Sequence, residues 1–240
     1  MSERTVSEAI DYRRSIRVYD PAKELDTTKV KKCLEQAVLA PNSSNMQLWE
    51  FYHVTSKSVI EDLVPLCFGQ NAAKTAQQMV IVTVRKDLWK SRAKANLDHI
   101  QTLYPPKPKA EQSKREKMAK NYYGRLIPLI YNDLLAVFRY VSMLVMGLFR
   151  PIYREVRAKD MRVVAHKSAA LAAQTFMLSM AAEGYDTCPM EGTDTWKVKK
   201  VLGLPMGAEI NMIISCGIRK SEGVYGDRFR IPFEEVYKEI

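Results

Sequence analysis

The chain has 240 residues, 47% of them apolar, which suits one substantial core in a single domain spanning 1–240. Four scattered cysteines (Cys33, Cys67, Cys188, Cys216) form no CxxC pair, and three histidines (His53, His99, His166) lack the spacing of a metal site on one helix, so neither a metal nor a dithiol cofactor is expected. The formal net charge is +10, mostly from twelve basic and four acidic side chains between Arg85 and Arg125, a stretch read as a solvated helix face or loop; without interleaved aromatic residues for base stacking, no nucleic acid is expected.

The N-terminal residues carry no apolar run of signal-peptide length, which makes the cytoplasm the expected location. A first helix is predicted from Thr5 to about Tyr12, since Val6, Ala9, Ile10 and Arg13 share one face; it delivers Arg13 and Arg14 at its end. Asp26 or Thr27 caps a second helix carrying Val30, Cys33, Leu34, Ala37 and Val38 on one side, stopped by Pro41. The short polar residues Asn42 to Asn45 form a turn, and Leu48 to Thr55 reads as a strand. Two apolar runs, Val80 to Val84 and Asn211 to Cys216, are predicted as neighbouring strands.

Between those strands the pattern is helical: a basic region from Leu88 to Arg125 broken by a loop at Tyr104 to Lys109, an apolar region from Ile127 to Phe149, and an amphipathic helix from Asp160 to Glu183. Asn132, Asp133 and Arg139 interrupt the apolar region, so no membrane span is expected; it reads as a core or dimer-interface helix broken near Gly147 and Pro151, with an in-plane surface contact as the alternative. The basic region, with its Pro105-Pro106 break, reads as a cover over a substrate side. A shorter helix from Thr193 or Asp194 should bury Val198, Val201 and Leu202 and end at Gly203, and the polar tail from Arg219 to Ile240 must lean on another surface.

No catalytic triad, GxGxxG turn or P-loop is present. Three separated clusters offer anion- and ring-binding chemistry instead. Arg13-Arg14-Ser15-Ile16-Arg17 presents guanidinium forks and a hydroxyl at a helix end, suited to a phosphate monoester. Pro41 to Gln47 presents amides to a planar heterocycle, and Arg228 and Arg230, two residues apart, share one side of an extended segment.

RRSIRVYD, APNSSNMQLWEFYHV, QNAAK before a strand, CPMEG after an Ala-rich helix, GLP and DRFRIP occur in that order, and together the chain resembles the nitroreductase family over nearly its whole length. The resemblance implies an α+β fold, with a central mixed β-sheet flanked by helices and a variable basic and apolar helical insertion at about 89–160. It also implies an intertwined homodimer in which both subunits form each site, non-covalent FMN, and NADH or NADPH as electron donor. Ping-pong reduction of nitroaromatics, quinones or similar small acceptors would follow. A dehalogenase or enone reductase on the same scaffold is the first alternative, and a basic nucleic-acid or anionic-surface binding module the second.

Carried over residue by residue, the resemblance assigns Arg13, Arg14, Ser15 and Arg17 to the flavin, with Arg13, Arg228 and Arg230 at its phosphate. Pro41, Asn42, Ser43, Asn45 and Gln47 fall in the loop contributed by the other subunit. Asn71 and Lys74 point at the pyrimidine edge, and Pro189, Met190, Glu191 and Gly192 approach the reactive nitrogen. Lys74, Arg17 and Glu191 are the expected catalytic residues: a cation beside the ring's N1 and C2 carbonyl stabilises negative charge on the reduced ring, and a backbone N–H at 191 or 192 orients it. Thr193 replaces the family's usual aromatic, which bears on the choice of acceptor.

Overall fold

The computed structural model describes residues 3–105 and 107–240. The first helix, α1 (Val6–Tyr12), starts at Thr5, whose hydroxyl accepts from the Glu8 N–H while the Glu8 carboxylate accepts from the Thr5 N–H, a reciprocal capping box. The second, α2 (Thr27–Ala37), is capped by the Asp26 carboxylate, which accepts from the N–H groups of Thr28 and Lys29. Then follow β1 (Trp49–Val54), α3 (Lys57–Leu66), α4 (Asn71–Lys74) and β2 (Gln78–Val84). The segment expected as the insertion carries α5 (Trp89–Leu103), α6 (Lys114–Asn121), α7 (Ile127–Tyr131) and α8 (Ala136–Met146). The chain continues through α9 (Ala158–Ala182), β3 (Asp186–Met190), α10 (Thr195–Val201), β4 (Glu209–Gly217) and α11 (Phe233–Val236).

The four strands lie in the order β1-β2-β4-β3 and all their pairings are antiparallel, so the expected mixed sheet is corrected; among the described residues the parallel element is one isolated bridge from Ser15 to Thr187. Every residue of β2 is buried, because helices cover both faces of the sheet. Its alternation divides the core: Val80, Val82 and Val84 pack with α2, α7 and α9, whereas Met79 and Ile81 pack with α3, α4 and α10. Small residues make the first layer thin. Ala165, Ala169, Ala172, Ala173 and Ala181 are buried along α9, with Phe176 and Met180 filling the remaining space, and α9 runs against α2.

Asp186–Met190, foreseen only as a motif, is an edge strand; there Pro189 removes one donor without breaking an inner ladder. α10 buries Val198 as expected and ends at Gly203, whose φ of +60° suits a residue without a Cβ, but Val201 is 42% exposed because it lies off the packed stripe. The apolar region breaks near Gly147 and Pro151 as expected, where α8 ends, and also at Asn132 between α7 and α8, and α8 leaves one face uncovered instead of entering the core. Pro106, half of the expected Pro105-Pro106 break, lies outside the described residues. Arg219 is anchored through Asp186, and although residues 225–240 are exposed throughout, the tail leans on Asn71, Arg14 and the end of α1 as far as Arg228; beyond it no hydrogen bond to the rest of the fold is present among the described residues.

Candidate functional site

Where α1 ends at Arg13 the chain turns along the sheet edge. Ile16 N–H donates to the Thr187 carbonyl at 3.2 Å, Tyr19 bridges Arg219, and the fully buried Ile16 and Tyr19 side chains anchor this segment, with the Tyr19 hydroxyl 2.9 Å from the Ser215 carbonyl. The tail closes over the same stretch: Arg17 N–H donates to the Gly223 carbonyl at 2.7 Å. A Cβ on Gly223 would stand 2.3 Å from the Val18 carbonyl oxygen, so this approach requires glycine.

The two segments enclose a cleft of about 270 Å³ lined by Arg13, Arg14, Ser15 and Arg17 on one side and Tyr225, Asp227, Arg228 and Arg230 on the other. Residues 215 positions apart thus share one anion-sized space. Burial, and then the like charges of Arg228 and Arg230, hold the Arg13 guanidinium below its ordinary pKa. Among the described residues the one ion pair made by Arg13, Arg14, Arg228 or Arg230 is Arg228 with Asp11, at 3.9 Å. Such a cluster is short of negative charge, and a phosphate dianion suits it. Arg228 is also structural, since its Nη2 donates to the carbonyls of Asp11 and Arg13 at 2.8 Å each. Arg14 donates to the Gly226 carbonyl at 2.8 Å, and Arg230 to the carbonyl of its neighbour Phe229 at 2.6 Å.

Tyr225 extends the site. Its hydroxyl accepts from Asn71 Nδ2 at 2.9 Å, and the adjacent Gln70 donates to the Gly192 carbonyl at 3.0 Å. The Asp194 N–H meets the Leu66 carbonyl at 2.8 Å, so the Asn71 turn, the 189–194 segment and the arginine cleft form one continuous face. Glu191 and Gly192 are exposed there, and their N–H groups make no hydrogen bond among the described residues. Pro189 is half-buried. The Met190 side chain, placed with the cofactor by sequence, is 2% exposed and packs under the sheet with Ile60 and Leu63, so it has only backbone to offer at this face.

Lys74 is exposed and its ammonium makes no hydrogen bond among the described residues; it borders a larger cavity of about 620 Å³ whose walls include Leu25, Ile60, Glu61 and Lys220. Of the expected site residues Lys74 is the one lining that cavity, so its size does not make it the centre of the chemistry. The concentration of unpaired cations marks the smaller cleft. All four cysteines are buried, and burial pushes Cys33 up to about 12 and Cys67 up to about 11, which leaves no thiolate nucleophile at neutral pH.

The loop from Pro41 to Gln47 lies elsewhere in the subunit. Ser43 N–H donates to the Ser168 hydroxyl on α9, and Asn45 exchanges hydrogen bonds with Asn96 on α5 at 2.9 Å. The Tyr122 hydroxyl meets Ser44 Oγ at 2.6 Å, and Tyr123 donates to the Ser44 carbonyl at 3.1 Å. Asn42 Oδ1 accepts from the Gln47 N–H at 2.9 Å. Ser44, Asn45 and Gln47 all have φ near +50°, a strained arrangement that the insertion holds in place. Among the described residues no hydrogen bond joins this loop to the arginine cleft. The insertion therefore braces the loop, and Tyr122 and Asn96, which carry that brace, were not singled out by sequence because nothing local distinguishes them. Tyr225 escaped too, although it lies just before the recognised Gly226 to Arg230 segment.

A family model described as the Nitroreductase family matches residues 10–218. The chain belongs to the nitroreductase family. This nitroreductase-family chain is 24% identical to a Staphylococcus haemolyticus protein assigned as an NAD(P)H nitroreductase, covering 99% of this chain and 98% of the other. A solved structure from Exiguobacterium sibiricum, assigned as a nitroreductase and in complex with FMN, shares the fold with a TM-score of 0.70 at 22% identity, covering 100% and 99% of the two chains. A gut-bacterial enone reductase acting in fatty-acid saturation shares it with a TM-score of 0.67 at 16% identity over 100% and 99%. The family match stops before Arg228 and Arg230, so their place at the cleft rests on geometry.

Proposed function

We propose that the chain is an FMN-dependent oxidoreductase that takes electrons from NADH or NADPH and delivers them, in alternating half-reactions, to nitroaromatics, quinones or similar small acceptors. Family membership supports the class. The observation that carries the cofactor is the cleft where Arg13, Arg14, Arg17, Arg228 and Arg230 converge with one carboxylate, Asp227, in the lining and one ion pair, Arg228 with Asp11, among the described residues. The residues present fit FMN: the arginines and Ser15 would hold the phosphate, and Asn71, Lys74, Arg17 and the free N–H groups of Glu191 and Gly192 would border the ring. When bound, the flavin supplies the two-electron chemistry. The protein's part is to bind and orient it and to set positive charge from Lys74 and Arg17 on the pyrimidine side.

Pro41, Asn42, Ser43, Asn45 and Gln47 complete the site in this reading from a second copy, because in their own subunit none of them lines the arginine cleft, and Ser43 and Asn45 are held by Ser168 and Asn96 instead. The functional unit is accordingly a homodimer with shared sites. The absorption spectrum of the purified protein tests the proposal directly. A flavin spectrum that bleaches anaerobically with NADH or NADPH is expected; protein that is colourless and takes up no added FMN would overturn it.

Thr193 favours a second, narrower reading. Its hydroxyl is buried without a hydrogen-bond partner, at the position where the family places an aromatic. An unpaired hydroxyl there suits an acceptor with a carbonyl or halide, as in an enone reductase or dehalogenase. Turnover of an enone or an aryl halide well above that of nitroaromatics would select this reading.

A further inference from the structure

Sixteen residues from Leu134 to Phe149 contain one charged side chain, Arg139, and it is turned inward: 1% exposed, it donates to the carbonyls of Leu129, Asn132 and Val156. Those bonds satisfy backbone oxygens at the break between α7 and α8. They also remove the only charge from the outer surface. What remains outside is a stripe at helical spacing, Leu134, Val137, Phe138, Val141, Leu148 and Phe149, each more than half exposed.

Cations flank this stripe in sequence. Arg150, Arg154 and Lys159 follow it, and Lys114, Arg115, Lys117 and Arg125 precede α7, none of them in an ion pair among the described residues, whereas Arg157, Arg162 and Lys120 are paired with Asp160, Glu209 and Glu116. Of the carboxylates in the same stretch, Asp133 is engaged by Lys86 at 2.7 Å and Asp160 by Arg157 at 3.1 Å, which leaves Glu155, beside α8, as the one without an ion pair among the described residues. Unpaired cations outnumber the one free carboxylate of this stretch, a balance that an extended anionic surface complements. No single helix is long and apolar enough to cross a membrane, and the α6–α7 and α8 helices meet at a 69° bend, a geometry suited to lying along a surface.

We propose that the outer face of α8 docks in the plane of an anionic phospholipid bilayer, with Phe138, Val141 and Phe149 inserted at the headgroup boundary and Arg150 and the neighbouring basic side chains against lipid phosphates. The insertion thereby holds the enzyme at a membrane surface without spanning it. This assignment is independent of the flavin site.

Sedimentation of the full-length protein with phosphatidylcholine vesicles, with and without phosphatidylglycerol, reads the binding. The bound fraction should be high only with phosphatidylglycerol, fall severalfold at high salt, and fall about tenfold in Phe138→Glu/Phe149→Glu. Val137→Ser/Val141→Ser, a milder change, gives the same direction if the first variant misfolds. No binding by the parent protein, equal binding to both vesicle types, or undiminished binding by the variants overturns the proposal. So does light scattering that shows the variants, without vesicles, to be smaller assemblies than the parent, because the face would then be a contact between copies.

Discussion

Nη2 of Arg228 lies 2.8 Å from the backbone oxygen of Arg13, so a guanidinium that faces the anion cleft is also tied to the C-terminal end of α1. That end is where helix carbonyls lack partners and where positive charge is favoured. Arg228 therefore couples the shape of the cleft to the end of the helix, whereas Arg230 reaches only its own neighbour's carbonyl.

The two tail arginines should separate on substitution. A hydrogen bond to a charged group contributes about 1.5–3 kcal/mol, so Arg228→Ala and Arg230→Ala should each weaken FMN by about one to two decades. Arg228→Ala should also lower Tm, and Arg230→Ala should not. Isothermal titration of FMN into apo-protein, with a thermal melt of each variant, checks both. FMN binding as tight as the parent's in both variants would remove the tail from the site.

Lys74→Ala should leave FMN binding nearly intact, within about threefold, because the Lys74 ammonium makes no hydrogen bond among the described residues and its charge matters most once the ring gains electrons. Reduction by NADH or NADPH should slow by about tenfold, and the flavin's potential should become more negative. Stopped-flow reduction together with a dye-equilibrated redox titration measures the pair; an unchanged potential would exclude Lys74 from the ring's edge.

Asp186 is 2% exposed and accepts from the Arg219 N–H and Nε at 2.8 Å and from its Nη2 at 2.5 Å, clamping the start of the tail to β3. Breaking a buried pair by removing one partner costs about 3–5 kcal/mol. Asp186→Ala should therefore lower Tm by roughly 6–20 °C. If calorimetry shows a loss of only a degree or two, the clamp does not stabilise the fold as described.

Acid should loosen the contact between α2 and α9. Glu183 pairs with Lys32 at 2.9 Å and with Lys29 at 3.1 Å, and these partners, Lys32 first, pull its carboxyl from 4.5 down to about 2. A carboxyl depressed in the folded state contributes its full stabilisation above the unfolded value and loses it as pH falls through the folded one. The Tm difference between parent and Glu183→Gln should be constant above about pH 5 and shrink between about pH 4.5 and 2. A difference that does not change across that window would show the pairs to be energetically idle.

Features set by neighbouring residues were legible in the chain itself. Thr5 and Asp26 cap helices through their own side chains, Gly203 ends one through its freedom at positive φ, and the Val80–Val84 run is apolar but for Thr83 because helices cover both faces of its strand. The motifs that indicated the family could be read for a related reason: each is a contiguous run whose residue types state the chemistry. Other features depend on contacts that no local pattern encodes. Asp186–Met190 has a proline and an acid, both unfavourable in strands, and becomes one because β4 and the Arg219 clamp satisfy it. Arg139, which looked like an interruption in an apolar run, folds inward onto three carbonyls, holds an additional break at Asn132 and leaves the outer face of α8 without charge. The gathering of Arg13 with Arg228 and Arg230, and the bracing of Ser43 and Asn45 on the opposite partners Ser168 and Asn96, are likewise products of tertiary packing, since side chains far apart in sequence meet only when the whole core has closed.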